Sequence, residues 1–368
     1  MDEIFRFGDE MGPGKVLHIY VPTLGLRSVV AVDNTACGPS IGGVRFEPDV
    51  TAEEACRLAR AMTLKNAAAG LPHGGGKAVI AGDPKMDAQH KEQWIRAFAR
   101  AIAGLQDYVP GPDMGTDEIA MGWIQDEIGR AVGLPRELGG IPLDEIGATG
   151  FGLSVAIDVA AGTMNLPLQG ARVAIQGFGA VGKHAARFLA GKGCRIVAAS
   201  DTKGTVWSAG GLEIDVLIAL KEAGKSVTEF AEGEKGGPEA ILGVPCDVWI
   251  PAARPDVVNR ENAGILDTRI VAEGANIPCT PEAEAMLARR GVLVLPDFVV
   301  NAGGVICAAI EYHGGTESSA FGVIEEKIRR NTADVIEIAK RTNASTRDAA
   351  IAIATRRIDN AARTRRWG

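Results

Sequence analysis

A chain of 368 residues is longer than one hydrophobic core usually supports, so two domains with a cleft between them are the starting expectation. Its 39 Lys and Arg against 46 Asp and Glu give a mildly acidic balance with no basic face to neutralise a run of phosphates, which argues against nucleic acid as a partner. The opening MDEIFRFGDEMGPGK lacks a basic stretch followed by an apolar one, and no unbroken apolar run suggests a membrane span, so a soluble cytoplasmic protein is expected.

The six cysteines, Cys37, Cys56, Cys194, Cys246, Cys279 and Cys307, stand singly with no histidine at ligand spacing, which reads as reduced, mostly buried thiols and no metal site. In chain order, the β-branched cluster Ser28 to Val32 reads as a strand. A helix follows from Thr51, opened by a capping box of Thr51 and Glu54 and carrying Lys65 near its end. LPHGGGKAVIAGD reads as a glycine-rich loop running into a short strand, followed by a helix around Lys91 to Leu105 and a turn, VPGPDMGTD. The glycines and proline between Gly139 and Gly152 read as a linker and set the domain boundary.

Beyond it the pattern alternates: RVAIQ, a helix from Ala180, RIVAAS, a helix from Leu212, then CDVWIP, RIVAEGA and VLVLP. This predicts an α/β fold whose second domain, residues 145–320, is a doubly wound, Rossmann-like parallel sheet with crossover helices. Two final helices, Ile324 to Arg341 and Thr346 to Arg363, the latter capped by Ser345 and Asp348, are expected to pack back across the cleft. Residues 1–140 would form the first α/β domain, joined by the C-terminal helices at about 325–368.

Gly177, Gly179 and Gly182 form G-x-G-x-x-G directly between an apolar strand and an amphipathic helix. That context supplies a tight turn, a close backbone approach to a pyrophosphate and a helix N-terminus that meets negative charge. Phe178, Ala180 and Val181 complete the candidate dinucleotide loop. Asp201, 24 residues after Gly177, would accept hydrogen bonds from the adenosine ribose and favours NAD, whereas small Ser200 and cationic Lys203 leave NADP open.

Lys65 and Lys77 are twelve residues apart, and Lys77 follows three glycines that let a substrate come close. Burial beside another cation lowers a lysine pKa and makes it a base able to activate water; the alternative is a pair of solvated surface lysines. Asp113 lies in the turn between Pro112 and Gly115, where it would either exchange a proton with a substrate nitrogen or merely stabilise the turn. Spacing alone leaves both readings open.

A wider likeness separates them. From Pro39 to His313 the chain resembles the glutamate, leucine, phenylalanine and valine dehydrogenase family, through IGGVRF, MTLKNAAAGLPHGGGKAVIAGDP, GPDMGTD, ATGFG, VAIQGFGAVG, VAEGAN and PDFVVNAGGV. The resemblance implies oxidative deamination of an L-amino acid to its 2-oxo acid and ammonia, a first domain that binds substrate and forms a homo-oligomer, and Lys77 and Asp113 as the catalytic pair. It also implies that Lys65 holds the substrate α-carboxylate, with Ile41, Gly42, Met62, Ala308 and Asn276 on the substrate side. Thr149 would meet the nicotinamide carboxamide, and Asn276 and Asn301 would line the cofactor side.

Glutamate-using members begin the IGGVRF motif with a lysine and carry a serine shortly after NAGGV, both contacting the side-chain carboxylate; this chain has Ile41 and Ala308 there. Burying a carboxylate against them without a partner costs several kcal/mol, whereas an apolar side chain gains roughly 1.5 to 3 kcal/mol. A branched-chain or aromatic substrate is therefore expected. MTLKNAAAGL is most like the leucine and phenylalanine enzymes, whereas QGFGAVG, SDTKGTV and VAEGAN are more like the glutamate enzymes. The rival readings are a glutamate enzyme that uses another cation, such as Arg45, and a non-catalytic dinucleotide-binding module.

Overall fold

A computed structural model describes residues 5–365. The chain divides into two compact units. Of the described residues, the first holds 5–143, Val305–Ala320 and 351–365; the second holds Asp144–Gly304 and Phe321–Ala350.

The first unit starts with β1 (Lys15–Val21), β2 (Leu26–Asn34), β3 (Ser40–Glu47), α1 (Ala52–Ala68), β4 (Gly74–Ala81), α2 (Ala88–Ala101), β5 (Tyr108–Pro112) and α3 (Glu118–Ile128). Its sheet runs β1-β2-β4-β3-β5, antiparallel from β1 to β4 and parallel from β4 through β3 to β5. Side chains alternate across a strand, so Val44, Phe46, Ala78 and Ile80 pack with Ile95, Phe98 and Met121 of α2 and α3. Val79 packs on the other face, with Ala55 and Ala59 of α1. Lys77 shares that second face by its odd register, as do Ile41, Gly43 and Arg45 of β3.

Two segments differ from the sequence expectation. HGGGK is not a loop: all three glycines lie within β4, and a Cβ on Gly42 of the neighbouring strand would overlap the Gly76 carbonyl oxygen. Close strand contact, not chain flexibility, is what these glycines provide. VPGP is likewise strand rather than turn, and its prolines are tolerated because β5 is the edge of the sheet.

The second unit holds α4 (Leu143–Ile146), α5 (Ala148–Thr163), β6 (Arg172–Gln176), α6 (Ala180–Gly191), β7 (Arg195–Ser200), β8 (Thr205–Trp207), α7 (Ile214–Glu222), β9 (Glu234–Gly236), β10 (Val248–Pro251), β11 (Ile270–Ala272), α8 (Pro281–Arg289), β12 (Leu293–Leu295) and α9 (Asp297–Val300). The chain then runs through α10 (Gly303–Tyr312), α11 (Glu317–Thr342) and α12 (Thr346–Ala362), and the division between units falls inside each of these three helices. Of the C-terminal helices expected to join the first unit, the part from Ile351 does so, whereas Phe321–Ala350 packs with the second; Val305–Ala320, expected in the second, belongs to the first.

The sheet order is β12-β11-β10-β6-β7-β8-β9, parallel from β12 to β7 and antiparallel at β8 and β9, an edge the alternating pattern did not foretell. Strand order reverses at β6, the switch point where doubly wound sheets bind ligands. The supposed linker ends early, because Gly150 and Gly152 sit inside α5, where they let α6 and the start of α10 approach closely. The stretch Leu143–Thr163 is long and apolar enough to cross a membrane, which the sequence reading overlooked; two thirds of it is buried within the structure, as suits a core helix.

Candidate functional site

In the first unit, Lys77 projects from the middle of β4 and is 5% exposed. Its Nζ meets Asp113 Oδ2. Burial, then the nearby charges of Arg45 and Lys65, push the Lys77 pKa down to about 7. Asp113 follows β5, and the pairing of Gly43 with Gly111 and Val44 with Pro112 brings it beside β3. A Cβ on Gly43 would stand 2.7 Å from that of Asp113, so the glycine makes room for the carboxylate.

The loop is pinned. Thr116 Oγ1 accepts from Asp113 N at 3.0 Å and lies 2.8 Å from the Val44 carbonyl, while Met114 N donates to Asp113 Oδ1 at 2.6 Å. These bonds fix the carboxylate against the sheet.

Arg45, named in the sequence only as a possible cation for a glutamate substrate, bridges two acids in the structure. Its Nη2 reaches Asp113 Oδ1 at 3.4 Å and its Nη1 donates to Glu54 Oε1 at 2.6 Å. The guanidinium is thus committed to organising Asp113, which weakens its candidacy as a partner for a substrate carboxylate. Glu54 pays for this by leaving the capping box half made: Thr51 accepts from Glu54 N at 3.1 Å, but the Glu54 carboxylate turns to Arg45 instead of the cap.

Lys65, in the last turn of α1, is half-buried and three residues from half-buried Met62, so the two share a helix face. Ile41 is 3% exposed and lies between Gly75 of β4 and Val109 of β5. Gly42 accepts from the buried Tyr108 hydroxyl at 2.9 Å. Ala308 is buried on α10, whose far end is tied to the start of β4 through His73 and His313, with Nε2 atoms 3.0 Å apart.

In the second unit, Gly177 adopts φ +90° after β6, and the N–H groups of Gly177 and Phe178 donate to the Ser200 carbonyl at 3.0 and 2.8 Å. Gly182 packs on Gly177, whereas nothing lies within 4 Å of a Cβ built on Gly179. Gly179 also caps α6 without a side-chain bond, which leaves the first N–H groups of α6, at Ala180 and Val181, without a capping side chain. An open approach and uncapped donors fit a pyrophosphate.

Asp201, expected to meet the adenosine ribose, is hydrogen-bonded through both carboxylate oxygens. Its oxygens accept from Lys221 Nζ at 2.8 Å and from Ser226 Oγ, Val227 N and Lys203 N at 2.9 Å each. Burial opposes its charge, but Lys221 and these donors outweigh it and hold the pKa at about 2. Four donors fill the acceptor capacity of a carboxylate, so Asp201 orders the turn after β7 and leaves little for a ribose.

Thr149 lies in the first turn of α5, where Gly303 backs onto Ala148 and Thr149. Asn301 is 4% exposed; its Nδ2 donates to Asn276 Oδ1 at 3.1 Å and to the carbonyls of Gly274 and Ala275 at 3.3 Å each, and its Oδ1 has no partner among the described residues. A buried acceptor without a donor suits a carboxamide N–H. The second unit therefore gathers Thr149, Asn276 and Asn301 near one another, as the first gathers Lys77, Asp113 and Arg45.

A glycine loop at the switch point of a parallel sheet and a buried Lys–Asp pair are the parts of a nicotinamide-dependent amino-acid dehydrogenase. The family model for Glutamate/Leucine/Phenylalanine/Valine dehydrogenase matches residues 139–366, and that for the Glu/Leu/Phe/Val dehydrogenase dimerisation domain matches residues 15–130. The chain belongs to the Glu/Leu/Phe/Val dehydrogenase family. It is an NAD(P)-dependent oxidoreductase. The NADP(+)-dependent glutamate dehydrogenase of Pyrobaculum calidifontis is 39% identical over 91% of this chain and 85% of its own, and the NAD-specific glutamate dehydrogenase of Staphylococcus aureus is 35% identical over 92% and 86%.

Among solved structures, the hetero-hexameric glutamate dehydrogenase of Thermus thermophilus in a Leu bound form is 30% identical with a TM-score of 0.86, covering 96% of this chain and 90% of that one. L-tryptophan dehydrogenase of Nostoc punctiforme is 28% identical with a TM-score of 0.75, covering 98% of each. The relatives' names speak for glutamate as substrate more than for an apolar amino acid.

Proposed function

We propose that this enzyme reversibly deaminates an apolar L-amino acid, branched-chain or aromatic, to its 2-oxo acid and ammonia, with Lys77 and Asp113 moving the protons. The observation that carries the chemistry is the buried contact of Lys77 Nζ with Asp113 Oδ2. When bound, the nicotinamide ring supplies the oxidant for the substrate Cα. Gly177 to Gly182 would hold its pyrophosphate, and Thr149, Asn276 and Asn301 its carboxamide end.

Lys65 holds the substrate α-carboxylate. Lys77, neutral above its lowered pKa, takes a proton from the water whose oxygen bonds to the imine carbon. The proton crosses to Asp113, which gives it to the nitrogen; Lys77, neutral again, takes the remaining hydroxyl proton as the C–N bond breaks, ammonia leaves and the C=O bond forms. Because the protonated lysine is the disfavoured form, log kcat/KM for deamination should climb with pH up to about 7 and level off above it. A flat profile from acid to alkaline pH would remove Lys77 as the base.

Ile41, buried where a glutamate enzyme has a lysine, supports the apolar side chain. The second reading is glutamate, and the observation in its favour is the name borne by relatives at 39% and 35% identity. Under that reading another cation must meet the γ-carboxylate, and Arg45 already holds Glu54 and Asp113. A homo-oligomer is part of the proposal, in keeping with the dimerisation domain matched over residues 15–130. A cytoplasmic location suits the six free cysteines, five of them buried. The activity is tested by product balance: reduced dinucleotide, 2-oxo acid and ammonia should form in equal amounts, and dinucleotide binding without any product would leave only the non-catalytic module.

A further inference from the structure

Behind the asparagines of the second unit lies a cluster that the reaction does not use. Arg347, in the first turn of α12, donates from Nη2 to Glu273 Oε2 at 2.6 Å, from Nε to Glu284 Oε1 at 2.7 Å and from Nη1 to Asp297 Oδ1 at 3.0 Å. Glu273 is fully buried, and Asp297 and Glu284 nearly so. One guanidinium thus faces three carboxyl groups, and burial together with Asp297 and Glu284 pushes the Glu273 carboxyl up to about 8 although Arg347 opposes the shift. Arg347 is the cation that reaches all three at once.

The three acids sit at informative places in the chain. Glu273 is three residues before Asn276, and Asp297 is four before Asn301. Glu273 Oε2 also accepts from Asp297 N at 3.0 Å, and Asp297 Oδ2 accepts from Ile277 N at 2.8 Å. Ile277 has φ +49°, a left-handed conformation that a β-branched residue adopts only under constraint. The segments 273–277 and 297–301 are therefore stitched to each other, and Asn301 completes the stitching through Gly274, Ala275 and Asn276. Thr346 Oγ1 donates to the Val294 carbonyl at 2.5 Å and fixes the start of α12 against β12.

We propose that Arg347 is a positioning residue for the cofactor: by clamping Glu273, Asp297 and Glu284 it sets the two asparagine-bearing segments so that Asn276 and Asn301 face the dinucleotide. This rests on the reading of those asparagines as cofactor-lining. Side chains that orient a ligating shell commonly change affinity or rate by about 10- to 100-fold when removed.

The test uses the full-length enzyme and compares Arg347→Gln, Arg347→Lys, Glu284→Gln, Asn276→Ala and Asn301→Ala. For each, the Kd for reduced dinucleotide by fluorescence, the KM for dinucleotide and for the best amino acid, kcat and the melting temperature are measured. Arg347→Gln should raise the dinucleotide Kd and KM about tenfold with the amino-acid KM within about twofold, and Arg347→Lys should recover part of the loss. Glu284→Gln, which removes one arm of the clamp, should shift the same dinucleotide constants by a smaller factor, and it decides the matter if Arg347→Gln does not fold. A lower melting temperature with unchanged dinucleotide constants in the folded Arg347 and Glu284 variants would overturn the proposal and leave a purely structural clamp. Unchanged dinucleotide constants in both asparagine variants would instead overturn the reading of the asparagines on which it stands.

Discussion

Replacing Lys77 by alanine should lower turnover by a factor of about 10³ or more while reduced dinucleotide still binds, because general acid–base groups contribute about 10² to 10⁴ and Lys77 is also half of a buried contact. Asp113→Asn should do nearly the same. In the proposed path the two residues exchange one proton, so the double variant should be little worse than either single one, as happens when groups act as a unit. Single-turnover rates and dinucleotide fluorescence titrations check this. Substantial activity in either single variant, or losses that multiply in the double variant, would separate Lys77 and Asp113 as independent groups and undo the proposed proton path.

The substrate side chain gives the second large effect. Ile41→Lys together with Ala308→Ser should raise kcat/KM for glutamate relative to leucine or phenylalanine by at least about two orders of magnitude, since each 1.4 kcal/mol is tenfold and an unpaired buried carboxylate costs several. The new cation would be left for the side-chain carboxylate, because Lys65 already receives the α-carboxylate in the proposed pose. Both buried positions tolerate polarity only if a ligand charge meets it, so the variant without substrate is expected to melt earlier than wild type. No gain at all with glutamate would mean that Ile41 and Ala308 do not line the side-chain pocket.

Elements governed by local rules were legible in the sequence. Thr51 caps α1, Ser345 caps α12, and G-x-G-x-x-G opens α6 after an apolar strand. Where tertiary packing overrides local preference, the sequence misled. Three consecutive glycines in β4 contradict strand propensity, and they are tolerated because Asn34 presses against Gly74, Thr63 of α1 against Gly75 and Tyr108 against Gly76, contacts that a Cβ would block. Prolines in β5 survive on a sheet edge, and edge position is invisible until the strand order is known.

The site shows the same division. Lys77 and Asp113 were singled out through their motifs and meet in the structure, but the Arg45 bridge between Glu54 and Asp113 joins three separate elements, and no spacing rule announces it. The surroundings of Asp201 were hidden for the same reason. A distal acid suggests a ribose contact only while its neighbours are unknown, and Lys221, Ser226 and Val227 come from a later segment that folds back onto it.

The most direct test of the central claim is the initial rate of nicotinamide reduction by the purified enzyme with leucine, valine, isoleucine, phenylalanine, tryptophan and glutamate, each with NAD and with NADP. The account predicts clear turnover with at least one apolar amino acid and little or none with glutamate. Turnover with glutamate alone would keep the Lys77–Asp113 pair but contradict the apolar pocket, and no turnover with any of the six would contradict the deaminating activity proposed for it.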